Sequence, residues 1–154
     1  MRAMLRSLAV CALFAALACS KRSPAPATGS HAESPQHPCT WFTAAEIAAR
    51  VGANVSDGQV DGPLGTSCQW KGADGVSVQL QIVRDASFWS LPAAAPGYAA
   101  LPGIGKAAYA VDQDGGVKAS ALLEQGFVTV IVAGVADARA AAQRLLVDAV
   151  PRVR

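Results

Sequence analysis

The sequence predicts an α+β fold: a two-layer arrangement in which an antiparallel sheet of about five strands carries an N-terminal and a C-terminal helix on one face. Three observations carry the prediction. A capped segment of helical period opens the globular part, runs of period-2 alternation joined by Gly-containing turns fill its middle, and a second helical segment closes it.

Thr43-Ala-Ala-Glu46 has the spacing of a capping box, in which the threonine hydroxyl serves the backbone donor at Glu46 and that carboxylate reaches back. Ala44, Ile47, Ala48 and Val51 then recur on one helical face, Glu46 and Arg50 pair on the other, and Gly52 stops the helix. Ser67–Lys71, the turn Gly72–Gly75 and Val76–Ile82 read as a hairpin. In its second arm Val76, Val78, Leu80 and Ile82 face a core while Ser77, Gln79 and Gln81 face water. Three more strands follow at Ala107–Val111, Val117–Glu124 and Phe127–Ala133, separated by turns at Asp112–Gly116 and Gln125-Gly126. The closing helix runs from about Ala136 to Ala149, with Ala138, Ala141, Ala142, Leu145 and Ala149 inward, and Pro151 ends it. Its alanine stripe permits close approach to a sheet, and an all-β barrel would leave both helices without a partner.

Residues 1–18 join basic Arg2 and Arg6 to an apolar run and the small residues Ala16-Leu17-Ala18, the make-up of a secretory signal rather than a spanning helix. The segment from Leu13 to Cys19-Ser20 resembles the lipobox of bacterial lipoproteins. That resemblance implies cleavage before Cys19, acylation of Cys19, and the lipid bilayer as a partner; palmitate and related chains together hold firmly where one holds marginally. Ordinary signal cleavage fits the same Ala-x-Ala, so a secreted protein is the alternative. Residues 19–38 read as the lipidated cysteine and a flexible Pro/Ser/Ala tether, and residues 39–154 as a single globular domain. The expected place is the cell envelope: outer membrane or periplasmic face if the source is Gram-negative, as Ser20 favours, and the cell-membrane exterior otherwise.

With Cys11 in the signal and Cys19 as the lipid site, Cys39 and Cys68 remain as the pair for a disulfide in an oxidising compartment. Two free thiols or a metal site are the alternatives. Charge removes one class of partner. The net +2 arises in the signal and tether, since residues 39–154 hold nine Lys or Arg against ten Asp or Glu, so no basic stripe marks a nucleic-acid surface.

Catalytic chemistry has little to stand on. Both histidines, His31 and His37, fall in the tether stretch, which leaves no His for a nucleophile–base pair or a metal cluster. Asp57 and Asp61 flank a Gly-rich loop and Asp112 and Asp114 sit in a turn, where aspartate serves backbone geometry. Gly103-Ile-Gly105-Lys106 lacks the Walker pattern, because Ala100 and Ala107 stand where Gly and Ser or Thr are needed. The sequence thus implies no enzyme, no cofactor and no metal. One stretch stands out: residues 85–105 set Phe88, Trp89, Leu91, Tyr98, Leu101 and Ile104 among prolines and glycines in a long connection. Phe88, Trp89 and Tyr98 are its candidate binding residues, an aromatic lip for an apolar ligand or partner. The competing reading is a crossover whose aromatics pack on the sheet. Trp41 and Trp70 are expected to pack against the disulfide.

Pro38-Cys39-Thr40 before the capped helix, Ser67-Cys68-Gln69-Trp70 on a strand, and Leu101-Pro-Gly-Ile-Gly-Lys-Ala-Ala-Tyr109 complete a likeness. With the lipobox and tether, they resemble a family of small bacterial lipoproteins of unknown function, departing from its usual pattern at Gln69 and Lys106. The family is distantly similar to extracellular sensor domains of bacterial receptor kinases. This implies helices on an antiparallel sheet with a groove, and a non-catalytic, sensor-like module binding an envelope protein or small ligand. The alternative is a structural or accessory subunit of an envelope complex. Val128, Val130 and Val132 opposite Phe127, Thr129 and Ile131 mark a strand covered on both sides.

Overall fold

The structure, a computed structural model, describes residues 37–153. Cys19, the signal segment 1–18 and residues 20–36 of the tether stretch lie outside the described residues. Among the described residues the fold is α+β, with seven strands in one open antiparallel sheet and two α-helices. In chain order these are α1 (Ala44–Val51), β1 (Gln59–Asp61), β2 (Ser67–Lys71), β3 (Ser77–Val83), β4 (Ala99–Ala100), β5 (Ala107–Gln113), β6 (Gly116–Leu123), β7 (Gly126–Ala133) and α2 (Ala138–Ala149). Among the described residues no helix is long and apolar enough to cross a membrane.

The sheet exceeds the expected five strands because β1 and β4 add an edge on each side, in the order β1-β2-β3-β7-β6-β5-β4. Both are too short to show alternation. Strand β5 also runs on through Asp112 and Gln113, so its turn to β6 is only Asp114-Gly115. The last strand inserts between β3 and β6, pairing Leu80 with Val130 on one side and Ala119 with the same Val130 on the other. One face therefore presents Val78, Leu80, Ile82, Val128, Val130 and Val132 in a continuous buried block. Beside it the small residues Ala108, Ala110, Ala119 and Ala121 make a flat floor. Helix α2 lies over β6 and β7, where its buried Ala141, Ala142 and Ala149 let Leu145 and Leu146 reach the strands. Leu146 joins the expected inner stripe and Ala138 is only half-buried.

Both helices share the core side of the sheet, but α1 packs chiefly on α2. The short 3-10 turn Pro38–Thr40, with Trp41 and Phe42 after it, covers β2 and β3 instead. An Arg50–Asp148 ion pair of 2.7 Å and the bond from Arg144 Nη2 to the Arg50 carbonyl at 3.1 Å tie the helices together. Among the described residues, His37, inside the stretch read as tether, is already part of the fold. Its Nδ1 accepts from the Cys39 amide at 3.2 Å and its ring lies against Gly65, which precedes β2.

Helix α1 begins as its sequence requires. Thr43 Oγ1 accepts from the Glu46 amide at 3.2 Å while Glu46 Oε2 accepts from the Thr43 amide at 2.7 Å, and Gly52 closes the helix in the left-handed region. The Thr43 hydrogen bonds, backbone first, hold the Glu46 carboxyl below its ordinary value, against a smaller opposing effect of burial. A depressed folded-state pKa stabilises above the unfolded value, and the contribution fades as pH falls through the folded value. Thr43→Ala is expected to cost about 1 kcal/mol at neutral pH. Glu46→Gln, which removes the titrating carboxylate, should flatten the acid limb of a urea-unfolding series from neutral pH to below the ordinary carboxylate range, and an unchanged limb would contradict the box.

Candidate functional site

The connection from β3 to β5 must pass the places taken by β7 and β6, so it crosses the sheet. It does so on the face opposite the helices. Asp85 Oδ1 accepts from the Ser87 amide at 2.9 Å and starts a 3-10 turn, Ala86–Phe88, which delivers Trp89 onto the strands. The Trp89 ring centroid lies 5.2 Å from Tyr109 and 5.6 Å from Phe127, and Tyr98 stacks on Tyr109 at 6.3 Å. In the same cross-strand row as Tyr109, Ser120 and Thr129 are buried and share a 2.8 Å hydrogen bond, and Ser120 also reaches the Val128 carbonyl. The second cover of β7 is therefore the chain's own crossover. Trp89 and Tyr98 are half-buried and make the contacts of the packing reading, Trp89 tilted against Tyr109 and edge-on to Phe127, Tyr98 stacked on Tyr109. Phe88 is different: it is 73% exposed and makes no ring contact among the described residues.

This arrangement separates two substitutions. Trp89→Ala removes two aromatic contacts of about 0.5–1.5 kcal/mol each along with its buried area, so a loss of roughly 2–3 kcal/mol is expected. Phe88→Ala should stay within about 0.5 kcal/mol. Equal effects in thermal melts would contradict the placement.

Two concave surfaces lie at the other end of the same connection. Leu101–Lys106 returns from β4 to β5, anchored by the Leu101 amide to the Ala108 carbonyl at 2.9 Å and the Lys106 amide to the Leu122 carbonyl at 2.8 Å. Gly105 has a φ of 58°, and a Cβ there would collide with the Leu122 carbonyl oxygen, so only glycine brings the turn this close to β6. Against this turn opens a cavity of about 470 Å³. Leu123 from the end of β6 and Val150 and Val153 from the chain after α2 give it apolar walls, while Lys106, Glu124 and Arg84 stand on its polar side. The Lys106–Glu124 ion pair, 2.7 Å long, spans part of that side. A second depression of about 380 Å³ lies on the other flank of the turn, between Leu101, Pro102 and Ile104 and the α2 residues Arg144 and Val147. A third, of about 390 Å³, continues past Val147 to Phe42, where Arg152 lies 4.2 Å over the ring and pairs with Glu46 at 3.8 Å.

The long connection thus contributes Leu101, Ile104, Gly105 and Lys106 to concave surfaces, while Trp89 and Tyr98 serve the sheet. The signal available in the sequence was the Gly-x-Gly turn, which reads as turn chemistry until its neighbours are known. The paired aspartates separate: Asp61 accepts from Gln79, Asp112 is bridged by Arg139, Asp114 sits in the β5–β6 turn and Asp57 is exposed. Among the described residues no group of three or more His, Cys, Asp or Glu side chains could hold a metal ion. Cys39 and Cys68 form a disulfide. Trp70 is fully buried and Trp41 nearly so, both in the core cluster that contains Cys68. Compared with known proteins, the chain matches no family model, no curated protein and no solved structure.

Proposed function

We propose that the chain is a cell-envelope lipoprotein, anchored through acylated Cys19, whose globular domain is a non-catalytic, sensor-like module binding a small ligand or an envelope partner. The observation that carries the reading is the gathering of concave surface around one segment: the Leu101–Lys106 turn borders cavities of about 470 and 380 Å³. Volumes of about 300–1,000 Å³ are typical of ligand sites. The basic start and lipobox-like end of residues 1–19, the Pro-rich tether and the Cys39–Cys68 disulfide support an extracytoplasmic address. His37 lies beside Gly65, at the sheet end that also holds Arg84 and Lys106.

The test has two arms. Palmitate labelling should mark the wild type and leave Cys19→Ala blank; an unlabelled wild type would make the protein a secreted one. Photocrosslinking in intact cells from positions around the Leu101–Lys106 turn should capture a small molecule or a partner in substoichiometric amount. A stoichiometric protein adduct would favour the accessory-subunit reading, which one observation supports: Val147, 52% exposed, stands between the two depressions that flank α2.

A further inference from the structure

We infer that the cavity beside Gly105 and Lys106 takes an amphiphilic anion, an acyl-chain carboxylate or a compound of that chemistry; this rests on the binding-module reading above. The lining is divided by chemistry. Leu123, Val150 and Val153 are partly buried side chains packed on the core, so only the outer surface of the apolar wall is wet. A ligand chain laid on it removes that surface from water.

The polar side centres on Lys106. This residue is carried on a turn with little freedom, since its own amide is bonded to Leu122 and the preceding Gly105 is pressed against the same carbonyl. Its ammonium is already directed at a carboxylate. Glu124, however, is 82% exposed and Lys106 50% exposed, so their pair is solvent-screened and weak. A carboxylate arriving with its chain on the apolar wall replaces Glu124 at Lys106 in a drier setting, where a charge-assisted hydrogen bond is stronger. A cation or a neutral alcohol lacks that exchange.

The test uses full-length chain in phosphatidylcholine vesicles and two photoreactive diazirine probes, a saturated medium-chain carboxylate and the primary alcohol of equal length. Adducts are mapped by peptide mass spectrometry. The carboxylate should label peptides holding Gly105–Lys106 and Leu123–Gln125 roughly tenfold more than the alcohol, and Lys106→Gln should reduce it to the level of the alcohol. Lys106 is an exposed position, so thermal melts are expected to show the variant folded. Equal labelling by both probes, unaffected by Lys106→Gln, would overturn the anion while leaving a ligand-binding module intact. Absence of adducts from either probe at these peptides would overturn the cavity as an amphiphile site, while the binding-module reading would stand or fall by the in-cell photocrosslinking.

Discussion

Breaking the Cys39–Cys68 disulfide, by reductant or by the double substitution Cys39→Ala and Cys68→Ala, is expected to lower the unfolding free energy by about 3–4 kcal/mol. The bond joins residues 29 apart and closes a loop that contains α1 and β1. In the chain-entropy account the unfolded chain regains most of what is lost, because a loop of this length has many open conformations. The native state loses something as well. The 3-10 turn Pro38–Thr40 is held to β2 through this bond, and that turn covers β2 and β3 where α1 does not. A melt of the oxidised and reduced protein should show a fall of roughly 10–20 °C in Tm. A midpoint moving by less than about 2 °C would mean that packing alone holds the N-terminal segment.

Trp70→Ala is expected to be of similar size, about 3–5 kcal/mol. Trp70 is fully buried on β2, paired across from Val78, and the loop before β1 lies directly on it: a Cβ at Gly58 would come within 2.8 Å of the indole and 2.7 Å of Cys68 Sγ. Its ring N–H has no protein acceptor among the described residues, so the substitution removes volume and contacts rather than a hydrogen bond. Trp70→Phe should therefore recover much of the loss. Gly58→Ala should be destabilising in the wild type and less so when combined with Trp70→Phe, whose smaller ring relieves the indole contact but not the one with Cys68. Urea unfolding of the four combinations of Trp70→Ala with the reduced disulfide checks the link. Because Gly58 packs against both groups, their costs should fall short of additivity. Strict additivity would place the bridge and the indole in separate packing units.

These two sites show where local reading succeeds. The period-2 run of β3, the capping box of α1 and the helical stripe of α2 each depend on neighbours within a few residues, so spacing reveals them. The disulfide was legible by elimination among four cysteines, and the burial of Trp41 and Trp70 followed from their places beside it. The short edge strands β1 and β4 were not legible, since two or three residues carry no alternation and their pairing comes wholly from β2 and β5. His37 reads as tether because a Pro/Ser-rich context hides a residue held by contact with Gly65, distant in sequence.

The candidate site divides the same way. Residues 85–105 were recognisable as an unusual connection, and Phe88, Trp89 and Tyr98 as its conspicuous side chains. Composition could not say which of them would be spent on Tyr109 and Phe127, because those rings are supplied by β5 and β7. By itself the sequence determined the α+β class, the two helices, the longer strands and the cysteine pair, all encoded in short-range period, caps and count. Only the tertiary structure decided that β7 enters between β3 and β6, which sends the connection across the outer face and brings Gly105 and Lys106 beside Leu123, Val150 and Val153. The physical reason is that strand order and cavities depend on long-range pairing, where the gain is shared among segments far apart in the chain and no one of them bears its mark.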